Sequence, residues 1–222
     1  MKKNCALQTI RKASLAIAVL AAGLAHAIGI PSQGTWETTL QPRELDSNLL
    51  NGPDAFYDTA LNITWLRNAN VNGPNIWFVA NTWANNLNVG GYVGWRLPTA
   101  LNVDGTGPCA GILCDNSEMG HLYYVTLGNT SAGLSNTGDF QSIQTDPYWS
   151  GTQYGFPPPP ALPSYAWVFY NFYGTQFNQL KDGVFYSMAV HNGDVGNALP
   201  VAEPQTLALM LLGVAALSAM KF

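Results

Sequence analysis

The sequence predicts an α+β fold: a single domain with two helices early and short antiparallel strands late, flanked by an apolar tract at each end of the chain. Three observations carry this. Two segments before Gly128 repeat their apolar residues at helical spacing, and the segments after it are short aromatic and β-branched runs between glycine turns. No strand–helix alternation and no repeat of about 20–50 residues is present.

The elements follow in order. Lys2, Lys3, Arg11 and Lys12 form a positive region, Leu15 to Leu24 an apolar one, and Ala25-His26-Ala27 a small-residue site of the kind a signal peptidase accepts. The apolar run is short for a bilayer span of roughly 20 residues, so residues 1–27 are expected to be a signal peptide cleaved after Ala27, taking Cys5 with it. Residues 28–55 are expected as an N-terminal extension of the domain. Ile63 to Leu66 reads as a strand after a turn at Asp58. Asn75 is expected to cap a helix with apolar Ile76, Ala80, Trp83, Ala84 and Leu87, ended by Gly90-Gly91. Tyr92 to Leu97 reads as a strand halted by Pro98. Ser117 is expected to cap a second helix with Met119, Leu122, Tyr123 and Leu127 inward, Glu118 favouring its dipole and Gly128 stopping it.

Beyond Gly128, Tyr148 to Thr152, Ala166 to Phe172 and Val184 to Val190 read as strands, with turns at Gly174 and Asp182-Gly183. Pro157 to Pro160 make Phe156 to Pro163 a polyproline-like loop, because proline cannot donate to a sheet ladder. Thr206 to Met220 is a tract of 15 residues without a charge or a polar face, closed by Lys221 and Phe222, and reads as membrane-associated.

Between the terminal tracts, residues 28–200 hold four basic and twelve acidic side chains, a net charge of −8. Such a surface, with no Lys/Arg cluster, argues against nucleic acid as a partner. All seven Trp and all ten Tyr fall in this stretch, among many Asn and Gly. Aromatic residues supply buried area and Asn and Gly supply turns, as in a secreted, loop-rich domain. Cys109 and Cys114 are expected to form a disulfide in an oxidising compartment. A zinc site adding His121 is the sharper alternative, although the spacing is loose and no fourth ligand is evident. No metal and no cofactor is expected.

Catalytic patterns are sparse. His121 and His191 are the histidines of this stretch, and no His-Glu-x-x-His, Gly-x-Ser-x-Gly or phosphate-binding Gly-Lys-Ser occurs. Asn102-Val-Asp104-Gly105 lacks ligands at the flanking positions of a calcium loop and reads as a turn. His121 reads as a satisfied histidine rather than a catalytic one. Arg96 is expected to make a structural ion pair that pins its strand, the alternative being a ligand carboxylate.

Two resemblances add to this reading. Val201-Ala202-Glu203-Pro204-Gln205 before the apolar tract resembles the PEP-CTERM sorting signal, with Ala202 in place of the first proline and Lys221 in place of an Arg-rich end. That resemblance implies transient inner-membrane anchoring by residues 206–222, a linker and motif over 195–205, processing by an exosortase, and delivery to the envelope or extracellular matrix. Asp58 to Leu66, Trp83 to Leu87, Gly90 to Thr99 with Trp95, Arg96, Leu97, Pro98 and Thr99, then Tyr148, Trp149, Ser150, Trp167 and Ala189-Val190 resemble the Lcl C-terminal domain over residues 56–194. This resemblance implies a single C-type-lectin-like domain, similar in fold to formylglycine-generating enzymes, whose motif residues are structural. His191 stands where relatives carry Arg.

The expected function is that of a non-enzymatic surface or matrix protein that binds polysaccharide, with signal peptidase and an exosortase as processing partners. Exposed rings gathered in one patch would support sugar binding, and uniform burial would leave a scaffold. The alternative is a secreted enzyme, which would need His121 or His191 to meet a carboxylate in a pocket.

Overall fold

The computed structural model describes residues 33–155 and 164–199. The expected signal peptide with Ala25 and Ala27, the loop expected over Phe156 to Pro163, the Ala202-Glu203-Pro204 motif and the apolar tract at Thr206 to Met220 lie outside them. Among the described residues no helix is long and apolar enough to cross a membrane.

The architecture is α+β, with two antiparallel sheets and few helices. A short helix α1 (Trp36–Thr39) leads into β1 (Leu40–Glu44), β2 (Ala55–Asp58) and β3 (Ile63–Leu66). Helix α2 (Trp77–Asn86), β4 (Trp95–Arg96) and β5 (Gly111–Ile112) follow, and then α3 (Glu118–His121), which continues as a π-helical turn over Leu122–Thr126. Strands β6 (Pro147–Tyr154), β7 (Tyr165–Tyr170), β8 (Thr175–Leu180), β9 (Val190–Asn192) and β10 (Asn197–Ala198) complete the order. The larger sheet runs β10-β1-β2-β3-β9-β4 and the smaller one β5-β8-β7-β6.

Several expectations hold locally. Ser117 caps α3, its hydroxyl accepting from the Gly120 amide at 3.2 Å. The turn at Asp58 is closed by its own Oδ1, which accepts from the amides of Ala60 and Leu61. Gly174, at φ +62°, closes the β7–β8 hairpin, where any Cβ would collide with the Tyr124 hydroxyl.

Others are corrected. Strands are more numerous early than expected: β1 and β2 join the expected strand at Ile63–Leu66, all three ahead of α2 and α3, and together they form the middle of the larger sheet. Residues expected as an extension supply β1 and the start of β2. Asn75 does not cap α2; its backbone exchanges hydrogen bonds with Phe185 in both directions, its side chain donates to Asn72 O, and the helix starts at Trp77. Trp77, not the exposed Ile76, therefore faces the core. The Tyr92–Leu97 strand shortens to β4 and the Val184–Val190 strand to β9, with Phe185 and Tyr186 making single bridges to Asn75 and Tyr148. Strand β7 stops at Tyr170, leaving Phe172 in the hairpin turn. The sequence reading missed β8, whose polar Thr-Gln-Phe-Asn-Gln-Leu shows no strand pattern; it forms because every residue registers against β7, from Thr175↔Tyr170 to Leu180↔Tyr165.

Packing follows from the aromatics. Ala166 to Phe169 of β7 are all buried, as expected of a strand covered on both faces. One cluster gathers Phe56, Trp65, Leu122, Tyr123, Tyr148 and Phe169; a second gathers Trp77, Leu97, Trp149 and Val168; a third gathers Leu66 and Trp95. Burying one Trp removes on the order of 200 Å² from water, about 5 kcal/mol at ~25 cal/mol per Å² as an upper bound.

Candidate functional site

The Trp95–Thr99 and Tyr148–Thr152 segments come together, so the two most distinctive motifs of the sequence are one structural unit. The Gly151 amide donates to Pro98 O at 2.8 Å, and the Ala100 amide donates to Thr152 Oγ1 at 2.9 Å. The Trp149 indole N–H reaches Asn75 O and that of Trp77 reaches Ser150 O, each at 2.8 Å. These positions need Trp rather than Phe because a buried carbonyl waits for each donor. The Tyr148 hydroxyl accepts from the Gln144 amide at 2.8 Å, and burial raises its pKa well above the ordinary value. Trp167 is buried with its ring edge against Tyr154.

Beside this unit lies a cleft of about 320 Å³ bordered by Arg96, Thr99, Asn102, Glu118 and Asn192. Arg96 spans its floor with all five N–H groups occupied. Nη1 and Nη2 grip Glu118 at 2.8 and 2.7 Å, Nε and Nη2 donate to Asn192 Oδ1, and Nη1 also donates to Leu97 O. Glu118 accepts in addition from the Thr99 amide at 2.7 Å. The ion pair thus ties β4 and β9 to α3, and a ligand carboxylate would have to displace Glu118. Asn102-Val-Asp104-Gly105 on the cleft rim is a turn closed by Asp104, which accepts from Thr106 twice.

The histidines are held internally. His191 bonds Val93 O through Nε2 at 3.1 Å and sets its ring against Trp95. His121 lies in electrostatic reach of Asp58, a fully buried carboxyl whose pKa is raised, chiefly by burial. The Nε2 of His121 is buried without a hydrogen-bond partner, and the Trp65 indole faces the Asp58 carboxyl, working against the effect of burial. With no exposed carboxylate, this pair cannot contact a substrate through Asp58. Cys109 and Cys114 are joined as a disulfide, their Cα atoms 5.6 Å apart, which leaves no thiolate of this pair for a zinc ion.

The exposed aromatic surface lies elsewhere. No Trp of the described residues is exposed: Trp36 and Trp83 are half-buried and the other five are buried. At the β7–β8 turn, however, Phe172 and Tyr173 are 46% and 51% exposed. With Tyr170 they form a three-ring cluster, centroids 4.6 Å apart for Phe172–Tyr173, 5.3 Å for Tyr170–Tyr173 and 6.2 Å for Tyr170–Phe172. Sequence reasoning placed Phe172 in a strand and overlooked Tyr173; the available signal was two aromatics directly before a turn glycine, where no core can cover them.

No family model matches the chain, and no curated protein matches it. The site therefore has to be read from its own chemistry: a saturated ion-pair cleft and an exposed ring cluster at the turn of a hairpin paired at six positions.

Proposed function

We propose that the protein is an exported envelope or matrix component, non-enzymatic, that binds polysaccharide through the ring cluster at the β7–β8 turn. The observation that carries the reading is the pair of half-exposed rings, Phe172 and Tyr173, held against Tyr170 on a six-pair antiparallel hairpin. Aromatic faces on a preformed turn can stack on the apolar faces of sugar rings with little ordering cost. The resemblance of the chain to an Lcl C-terminal domain of C-type-lectin-like fold supports it. The Ala202-Glu203-Pro204 motif and apolar tail support sorting by an exosortase after removal of the signal peptide at Ala25-His26-Ala27.

The alternative, a secreted enzyme on a formylglycine-generating-enzyme-like fold, has less support: the histidine–carboxylate pair that comes together, His121 with Asp58, offers only a buried carboxylate. The test is a glycan array probed with the full-length chain, including exopolysaccharide from the producing cells. Binding is expected, and the double substitution Phe172→Ala/Tyr173→Ala is expected to weaken it at least tenfold without lowering the melting temperature. Unchanged binding by that variant would remove the hairpin from the reading, and no binding to any glycan would remove the reading itself.

A further inference from the structure

We propose that Glu44, Asp46 and Asp54 form a calcium site at the loop end of the β1–β2 ladder. Glu44 ends β1, and the chain loops out through Ser47 and returns at Asp54, just ahead of β2. The Asp54 amide donates to Arg43 O at 2.9 Å, so sheet pairing itself brings the first and last acids of the loop together. One carboxylate oxygen from each of the three residues lies within 4.8 Å of the others.

The second observation is Glu44 itself. It is 2% exposed, and its Oε2 is buried with no hydrogen-bond donor. Its Oε1 accepts from the amides of Asp46 and Asn48, both at 3.2 Å. What faces the carboxyl beyond that is Asp54 and Asp46, acceptors that can satisfy it only by sharing a proton. No side-chain cation answers the cluster: the ion pairs of the described residues are Arg43–Asp194 and Arg96–Glu118, and Arg67 donates to the carbonyls of Asn51, Pro53 and Asp139. A buried carboxylate with one oxygen lacking any donor and two further carboxylates beside it is a place that a cation would fill.

The donor set selects among cations. All three ligands are hard oxygens, which disfavours zinc beside the nitrogen and sulfur ligands it prefers. Calcium accepts 6–8 oxygens at about 2.3–2.6 Å, so oxygens across its shell stand about 5 Å apart. The three acids fit such a shell, and the exposed Asp46 side leaves room for water. Magnesium demands a tighter octahedron and gives up its water reluctantly. Bound there, calcium would clasp the loop to the sheet edge.

The experiment is calorimetric titration of the EGTA-stripped full-length chain with calcium chloride, paired with thermal melts. One ion per chain is expected, with Kd on the order of 10⁻⁴ M and a melting temperature roughly 5 °C higher at saturation. Glu44→Gln, which keeps an acceptor for the Asp46 and Asn48 amides, and Asp46→Asn, at an exposed position, should each weaken binding at least tenfold. In EGTA, Glu44→Gln should melt no lower than the wild type, which separates a lost ligand from a damaged fold. A flat wild-type titration, an equal calcium response in both variants, or magnesium binding as tight as calcium would overturn the assignment.

Discussion

Burial decides which carboxyls of this domain resist ionisation. Glu44 and Asp58 are both almost wholly out of water, and both are held above their ordinary values of 4.5 and 3.8, chiefly for that reason. A carboxyl raised in this way binds its proton more tightly in the folded chain than in the unfolded one. Its contribution to stability is complete below the ordinary value and is lost as pH rises through the folded one. Urea unfolding of the wild type and Glu44→Gln in EGTA should therefore diverge as pH climbs above the ordinary carboxyl value of 4.5, with the variant progressively more stable. Parallel pH curves would show that the folded chain places no burden on the Glu44 charge. Arg96 illustrates the opposite case: a cation surrounded by acceptors on every N–H, legible in the sequence as an ion pair but without a named partner, because Glu118 lies 22 residues away.

At the scale of elements, short-range chemistry was the most legible. The Ser117 cap, the Asp58 turn and the Cys109–Cys114 ring all depend on residues within a few positions of one another. The disulfide loop is also docked from outside: Gln176 Nε2 donates to Cys109 O at 2.8 Å and to Ala100 O at 3.0 Å, while β5 pairs with β8. Replacing both cysteines by serine should therefore cost only the loop-entropy share, about 2 kcal/mol, read as a shift in the urea midpoint with an unchanged slope. A loss twice as large would mean that the bridge, rather than Gln176, holds the loop in place. Strand β8 was illegible for a related reason. Its residues are polar, and only the length of β7 beside it makes them a strand.

At the scale of the whole molecule, the larger sheet closes on residues from both ends of the domain. Strand β10 pairs with β1 through Arg43↔Ala198 and Glu44↔Asn197, and β9 is inserted between β3 and β4. The closure is fastened by Arg43, whose buried guanidinium donates twice to Asp194, at 2.6 and 2.8 Å. Asp194 is itself 45% exposed, so the pair is partly screened, but its removal strands a buried cation. Asp194→Ala should destabilise the domain by about 2 kcal/mol, measured by urea unfolding, and faster exchange of the β1 and β10 amides should accompany it. Unchanged exchange would separate the ion pair from the closure.

Composition, periodicity and near-neighbour chemistry were enough to determine an α+β domain of buried aromatics, its second helix with its cap, its disulfide and most of its turns. Each of these is decided by forces acting over a few residues. The order of strands, the partner of Arg96, the exposure of Phe172 and Tyr173 and the meeting of Glu44 with Asp54 were decided only by the tertiary structure. They arise when segments far apart in the chain are brought together, and no local pattern records which distant backbone will arrive to pair, cover or repel.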